Sequence, residues 1–336
     1  PEFGSQSLPE SSSFFDLFSG SSSSKPDLSS LMLTISDKTR VAEGNRGATY
    51  RGTCRTREVA VKVVSKPKTH SACSRLDKEM RALKQLPDHP NLVRYHGSIP
   101  IGDGRQMGIV TDFVFAGVAI DTRLHRTPHW LKEEDKHRML IQVIDAVAFL
   151  HAHGITHRDL SWKHVLKTYE STSVIKLVDF GLPTLRSTTA CNPTSCTSFA
   201  MMGFTLEYAS PEALRGELSN REDEDWELSN GGWPEKKDCP RGGKPGWRES
   251  DVYSFATLMV EMLLEERPWE AESPMHVINA VAKQGRRPFK VERVRLFGEK
   301  SPTLEALIYE AWHENPLKRP SALELKTRLE RLFRSD

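Results

Sequence analysis

An α+β fold is what this sequence predicts, on three observations. Glu58-Val59-Ala60-Val61-Lys62-Val63-Val64 alternates with period two, as a strand does, and puts Ala60, Lys62 and Val64 on one face. Leu140, Val143, Ile144, Val147 and Leu150 recur at helical spacing and make an amphipathic helix. From Asp251 to about Glu265, Val252, Phe255, Ala256, Met259, Val260 and Leu263 form one stripe, while Leu258, Met262 and Leu264 occupy other faces. A helix apolar nearly all round belongs in a core.

At 336 residues the chain suits a single domain with tails or a two-lobed domain with a large core. A net charge of +2 is too small for a nucleic-acid or polybasic membrane surface, so no nucleic-acid partner is expected. The five cysteines are odd in number and include no CxxC pair, which fits reduced thiols better than a disulfide frame or zinc site. No apolar run approaches the roughly 20 residues of a membrane span, and no signal peptide opens the sequence. The expected compartment is the cytoplasm.

The chain in order begins with Pro1-Glu2-Phe3-Gly4-Ser5, which reads as a cloning remnant. Residues 1–32 are dominated by serine and bury too little apolar surface to offset ordering entropy, so a disordered tail is expected. Phe14-Phe15-Asp16-Leu17-Phe18 interrupts it, either as a docking motif or as a chance apolar cluster. Val41 to Tyr50 carries Gly44 and Gly47, a spacing found in ordinary hairpins as well as in loops that approach phosphate. Lys62 lies among β-branched residues, where an ammonium is costly to bury without a partner. Arg75 to Leu86 reads as a helix with Glu79 on the same face as Ala82, Leu83 and Leu86. A carboxylate on an inward stripe supplies the partner Lys62 needs.

Further on, Val174 to Val178 is a short apolar strand that ends in Asp179, and Leu182 to Ser198 is rich in Ser and Thr. Leu214 to Arg248 is charged and turn-rich, with Trp226, Trp233 and Trp247 as candidates to pack on a folded surface. A long loop of this kind is either functional or disordered.

His157-Arg158-Asp159-Leu160-Ser161-Trp162-Lys163-His164 and Asp179-Phe180-Gly181 resemble the catalytic loop and metal-binding segment of eukaryotic protein kinases. With the order of the other motifs, the resemblance extends over Leu33 to Phe333 and lies nearest the tyrosine-kinase-like branch of Ser/Thr kinases. It implies a bilobal fold: a small antiparallel-sheet N-lobe with one helix over 33–114, and a larger, mainly helical C-lobe over 115–334. An insertion falls at about 215–248.

By the same resemblance Asp159 is the catalytic base, Asp179 holds Mg²⁺, and Lys62 bridges the nucleotide phosphates and Glu79. Gly44 and Gly47 fall on the second and third glycines of the glycine-rich loop, with Ala42 at the first. Ala60, Lys62, Thr111, Asp112 and Val114 complete the nucleotide-binding set, Thr111 at the back of the adenine pocket and 112–114 through backbone hydrogen bonds. Arg158 would pair with a phosphorylated activation-loop residue. Thr205-Leu206-Glu207-Tyr208-Ala209-Ser210-Pro211-Glu212 resembles T-x-x-Y-x-A-P-E, with Thr205 supporting Asp159. Asp251 would cap the catalytic loop's backbone, and Arg319 would pair with Glu212.

Two positions of the segment that resembles the catalytic loop depart from the family pattern. Ser161 stands where Ser/Thr kinases carry Lys, and Lys163, placed where many tyrosine kinases have Arg, is expected to take over its role. His164 replaces an Asn that binds metal; imidazole suits softer cations than Mg²⁺, so the site should weaken or shift toward Mn²⁺. The expected function is ATP-dependent transfer of a phosphoryl group to protein Ser/Thr hydroxyls, attenuated or Mn²⁺-favouring and regulated by activation-loop phosphorylation. The alternative is a nucleotide-binding pseudokinase that acts as a scaffold or switch. ATP, Mg²⁺ or Mn²⁺, a protein substrate and a docking partner for the tail or insertion are the partners implied. A small-molecule kinase is disfavoured, since that class lacks the Pro211-Glu212 segment and the helix at Asp251.

Overall fold

The computed structural model describes residues 33–44, 47–54, 56–66, 70–101, 105–114, 118–120, 131–168, 174–180, 205–218, 246–270, 272–289 and 301–334. The Phe14–Phe18 cluster, Gly181, the Ser/Thr-rich 182–198 stretch and most of the 215–248 segment lie outside the described residues. The described chain divides into two compact units, one ending at Val114 and one beginning at Val118.

The first unit is built on an antiparallel five-stranded sheet of order β1-β2-β3-β5-β4. Its strands are β1 (Leu33–Gly44), β2 (Gly47–Cys54), β3 (Arg57–Ser65), β4 (Tyr95–Ile101) and β5 (Gln106–Asp112). The alternation in β3 is realised from Val59 to Lys62: Val59 and Val61 are buried with Val110 in one cluster, while Ala60 and Lys62, on the other face, are half-buried; at the strand's end the order reverses, with Val63 half-buried and Val64 buried. Helix α1 runs from His70 to Gln85 and packs on β4. It begins five residues before Arg75, where the apolar periodicity gives no signal because His70, Ser71 and Ser74 are polar. Leu76, Leu83 and the following Leu86 are buried, as a stripe facing the sheet requires.

In the second unit, β6 (Val118–Ala119), β7 (Val165–Lys167) and β8 (Ile175–Leu177) form a small antiparallel sheet beside the helices. The helices are α2 (Glu133–Ala152), α3 (Pro211–Arg215), α4 (Trp247–Leu264), α5 (Pro274–Ala282), α6 (Ser301–Ala311) and α7 (Ala322–Phe333). α2 buries the predicted stripe completely. Every residue of α4 from Ser250 to Leu263 is buried, which is why its sequence is apolar on all sides. This helix starts at Trp247 rather than Asp251. Glu249 accepts the Gly246 N–H at 3.2 Å and caps an extra turn, so Trp247 and Arg248 are helical rather than the end of a loop. Among the described residues no helix is long and apolar enough to cross a membrane.

Glu212 and Arg319, 107 residues apart, form the expected bidentate pair at 2.6 and 2.8 Å with both side chains fully buried. Arg319 also donates to the carbonyls of Glu249 and His313, and its guanidinium lies over the Tyr253 ring, so its hydrogen-bonding capacity is used inside the protein. Removing one partner of a buried pair strands the other charge. Glu212→Ala should therefore lower the unfolding free energy by about 3–5 kcal/mol, read as a fall in the urea midpoint; a loss below about 1 kcal/mol would be that of a solvated pair.

Candidate active site

Asp251, on α4, is 1% exposed and its carboxylate holds the loop that follows α2. Oδ1 accepts the Arg158 N–H at 2.8 Å, Oδ2 accepts the His157 N–H at 2.7 Å, and Nε2 of His151 lies 2.9 Å from Oδ2. Burial by itself would push this carboxyl up; the hydrogen bond and charge of His151, with His157 beside it, outweigh that and hold it below its ordinary 3.8. The contact has a conformational purpose. Arg158 sits in the left-handed region at φ +65°, a geometry that costs a non-glycine residue about 1–3 kcal/mol.

That turn carries Asp159 into the interior, where it is 6% exposed. Its Oδ1 accepts two hydrogen bonds from Thr205, 2.9 Å from the backbone N–H and 3.0 Å from Oγ1. His157 bridges the loop to the strand that bears Asp179. Its Nε2 lies 3.1 Å from the Val178 carbonyl and must donate, while Nδ1 accepts the Asp159 N–H at 3.3 Å. His157 is thus a spacer between the loop and that strand. The Val178 N–H is bonded in turn to the His164 carbonyl at 2.9 Å. With both groups of Val178 fixed, Asp179 is held at φ +61°.

His164 stands between the two aspartates. Its Nδ1 is 2.8 Å from the Asp159 carbonyl and 3.9 Å from Asp159 Oδ2; its Nε2 is 3.7 Å from Asp179 Oδ2. Because a carbonyl only accepts, Nδ1 carries hydrogen, and Nε2 is the ring nitrogen that faces Asp179. One imidazole nitrogen and one carboxylate in this relation make a donor pair for a divalent cation. Among the described residues no cluster of three or more His, Cys, Asp or Glu adds to them.

Ser161 is fully buried, with Oγ 3.4 Å from His164 Nδ1. Trp162 is also buried and donates from Nε1 to the Leu258 carbonyl of α4 at 3.0 Å. Between it and His164, Lys163 is exposed and makes no ion pair among the described residues, so the structure does not bring it against Asp159. Arg158 donates from Nε to Thr156 Oγ1 at 2.9 Å, and its guanidinium lies 5.1 Å from the centre of the Trp247 ring. The sequence flagged Trp247 only as an aromatic able to pack; its pairing with Arg158 had no sequence signal, because 89 positions separate them.

In the first unit, Ala60 is directly opposite Thr111 and Lys62 is opposite Ile109, so all four share one face of the sheet. Asp112, opposite Val59, presents its side chain to the other face. This leaves only its backbone for the Thr111 side. Gly44 and Gly47 close the β1–β2 ladder opposite one another. Gly47, at φ +125°, has a requirement of its own: a Cβ there would meet the Val63 carbonyl oxygen at 1.9 Å. Glycine at 47 is therefore demanded by β3, whatever approaches the loop. Val114 follows β5 and is half-buried. Glu79 lies on α1, and its side chain falls outside the described residues.

The family model described as protein tyrosine and serine/threonine kinase matches residues 35–228 and 246–329. The probable serine/threonine-protein kinase SIS8 of Arabidopsis thaliana is 28% identical over 296 residues, 87% of this chain and 24% of its own length. Serine/threonine-protein kinase CTR1 of the same plant is 27% identical over 303 residues, 89% of this chain and 31% of its own. For the plant's serine/threonine/tyrosine-protein kinase HT1 the values are 27% over 300 residues, 87% and 65%. The chain thus spans only about a quarter to two-thirds of these relatives.

Replacing Asp251 tests the anchor. Its depressed folded-state pKa means that its contribution is present above the unfolded value of 3.8 and is lost as pH falls through the folded value. Asp251→Asn should cost about 2–3 kcal/mol at neutral pH in denaturant unfolding. The gap to the parent should hold down to 3.8 and close below it.

Proposed function

The chain belongs to the protein tyrosine and serine/threonine kinase family, and on that premise we propose that it transfers the γ-phosphoryl group of ATP to Ser or Thr hydroxyls of a protein. The observation that carries the reading is Thr205 on Asp159. A carboxylate fixed through Oδ1 by a hydroxyl and a backbone N–H is oriented to accept a proton from an incoming hydroxyl. Phosphoryl transfer relies chiefly on positioning and charge stabilisation, which suits a loop whose every turn is pinned. The names of the relatives favour Ser/Thr as the acceptor class.

In this reading Asp179 and His164 hold the divalent cation, which when bound neutralises charge on the phosphates. An imidazole nitrogen in that pair favours Mn²⁺ over Mg²⁺ and attenuates turnover under Mg²⁺. Lys62, with Glu79, grips the phosphates beneath Gly44 and Gly47. Ala60 and Thr111 line the base, and the backbone of Asp112 and Val114 bonds its edge. Lys163 supplies the cation that buried Ser161 cannot. Arg158, already seated on Trp247, receives an activation-loop phosphate and so makes activity dependent on phosphorylation. A cytoplasmic protein substrate follows from the same reading, with the tail or insertion as docking elements. The second reading, a nucleotide-binding pseudokinase, draws on Ser161, whose burial leaves no cation at that position of the loop.

Phosphatase-treated protein incubated with ATP should gain phosphate by intact-mass measurement, faster with Mn²⁺ than with Mg²⁺, and Asp159→Asn should gain none. His164→Asn should reverse the metal preference. No phosphate with either metal, together with thermal stabilisation by ATP, would leave the pseudokinase. Lys163→Ala should slow transfer by about tenfold or more, as loss of a charge stabiliser does; an unaltered rate would remove Lys163 from the mechanism.

A further inference from the structure

The pairing of β4 with β5 is interrupted at one residue. Tyr95 lies opposite Thr111 and Gly97 opposite Val110, so His96 is the extra residue of a β-bulge. Gly97 adopts φ +148°, a conformation that L side chains rarely take, and so allows the bulge. A bulge re-aims a side chain, and here it delivers an imidazole to Asp112, the last residue of β5. His96 is 7% exposed and its Nε2 lies 2.7 Å from Asp112 Oδ1. A carboxylate can only accept, so Nε2–H donates whether the ring is neutral or charged.

Other contacts converge on the same stretch. The Asp112 N–H donates to the Arg94 carbonyl at 3.0 Å, which ties the backbone to the segment preceding β4. The guanidinium of Arg51 lies 5.1 Å from the centre of the Phe113 ring and is itself ion-paired to Glu58 across β2 and β3. Residues 112 and 113 are thereby held through their side chains, while Ala60, Lys62 and Thr111 present the other face. The sheet does not need the bulge for cohesion, since Val59, Val61 and Val110 already make a dry cluster there.

We propose that His96 is a positioning residue for the nucleotide base: by holding the Asp112 carboxylate it fixes the backbone edge of residues 112–114 before a base arrives. The inference rests on the nucleotide-binding reading above. Ordering that edge in advance removes the cost from the binding step, so the gain is in affinity rather than in chemistry.

The test uses adenosine, which reports on the base strip alone, and ATP, each titrated calorimetrically into the parent, His96→Phe and His96→Gln. Losing the hydrogen bond to a charged group should raise the Kd of both ligands about tenfold in His96→Phe, with the deficit in KM for ATP rather than kcat. His96→Gln, which keeps a donor near the Nε2 position, should stay within about twofold of the parent. Thermal unfolding without ligand checks the fold, and Asp112→Ala, which removes the acceptor instead, carries the same expectation if His96→Phe does not fold. Equal Kd values for the parent and the donor- or acceptor-deleted variant would overturn this inference and leave the proposed function standing. A parent that binds neither ligand would overturn both.

Discussion

A single buried carboxylate sets the geometry of the loop that follows α2. Asp251 takes the N–H groups of two successive residues, His157 and Arg158, and the second is held at a positive φ that it would not adopt unaided. From that forced turn the rest follows. Asp159 faces inward to meet Thr205, His157 reaches the Val178 carbonyl, and the His164 ring falls between Asp159 and Asp179. An ionised carboxylate can be this deeply buried only because His151 and the two N–H groups compensate its lost hydration.

Asp251 can do this because α4 is itself immobilised on every side. The helix accepts Trp162 Nε1 at the Leu258 carbonyl and Trp312 Nε1 at Thr257 Oγ1. Ser254 donates to the Tyr208 carbonyl, Glu261 accepts the Tyr208 hydroxyl, and Ser250 bonds Ser210. Three sequence-distant segments, 157–164, 205–212 and 312–319, are thus registered against one helix. Ser210, a departure from the family's Ala, has a physical role: its hydroxyl satisfies that of Ser250 inside the core. The bidentate Glu212–Arg319 pair, packed over Tyr253, locks the far side of the same assembly.

His164 and Trp247 give this kinase domain its individual character. The imidazole stands where the family pattern has an amide, and its orientation is fixed by the Asp159 carbonyl. Trp247 belongs to the extra turn capped by Glu249 and covers the guanidinium of Arg158, beside Asp159. A planar guanidinium stacked on an indole is restrained in orientation. The first turn of α4 is thereby connected to the loop at 157–159 through one side chain.

Periodicity and motif order determined a good deal by themselves. The β3 alternation, the α2 stripe and the all-round apolarity of α4 each identified an element, because burial on one face, or on all faces, must be encoded residue by residue. The ordered motifs picked out Asp159, Asp179, Thr205, Asp251 and the Glu212–Arg319 pair, since a short segment with fixed chemistry survives as a local pattern. Helix starts at His70 and Trp247 were not legible: the first opens on His70-Ser71-Ala72-Cys73, which has no large apolar side chain to mark a stripe, and the second relies on a glycine cap and the side chain of Glu249. Tertiary structure alone decided the bridge from His157 to the Val178 carbonyl, the reach of His164 to both aspartates, the strand-packing demand for glycine at 47, the Trp247 cover on Arg158 and the bulge that turns His96 onto Asp112. Each of these depends on which groups the fold brings together, and no local pattern of side chains carries that information.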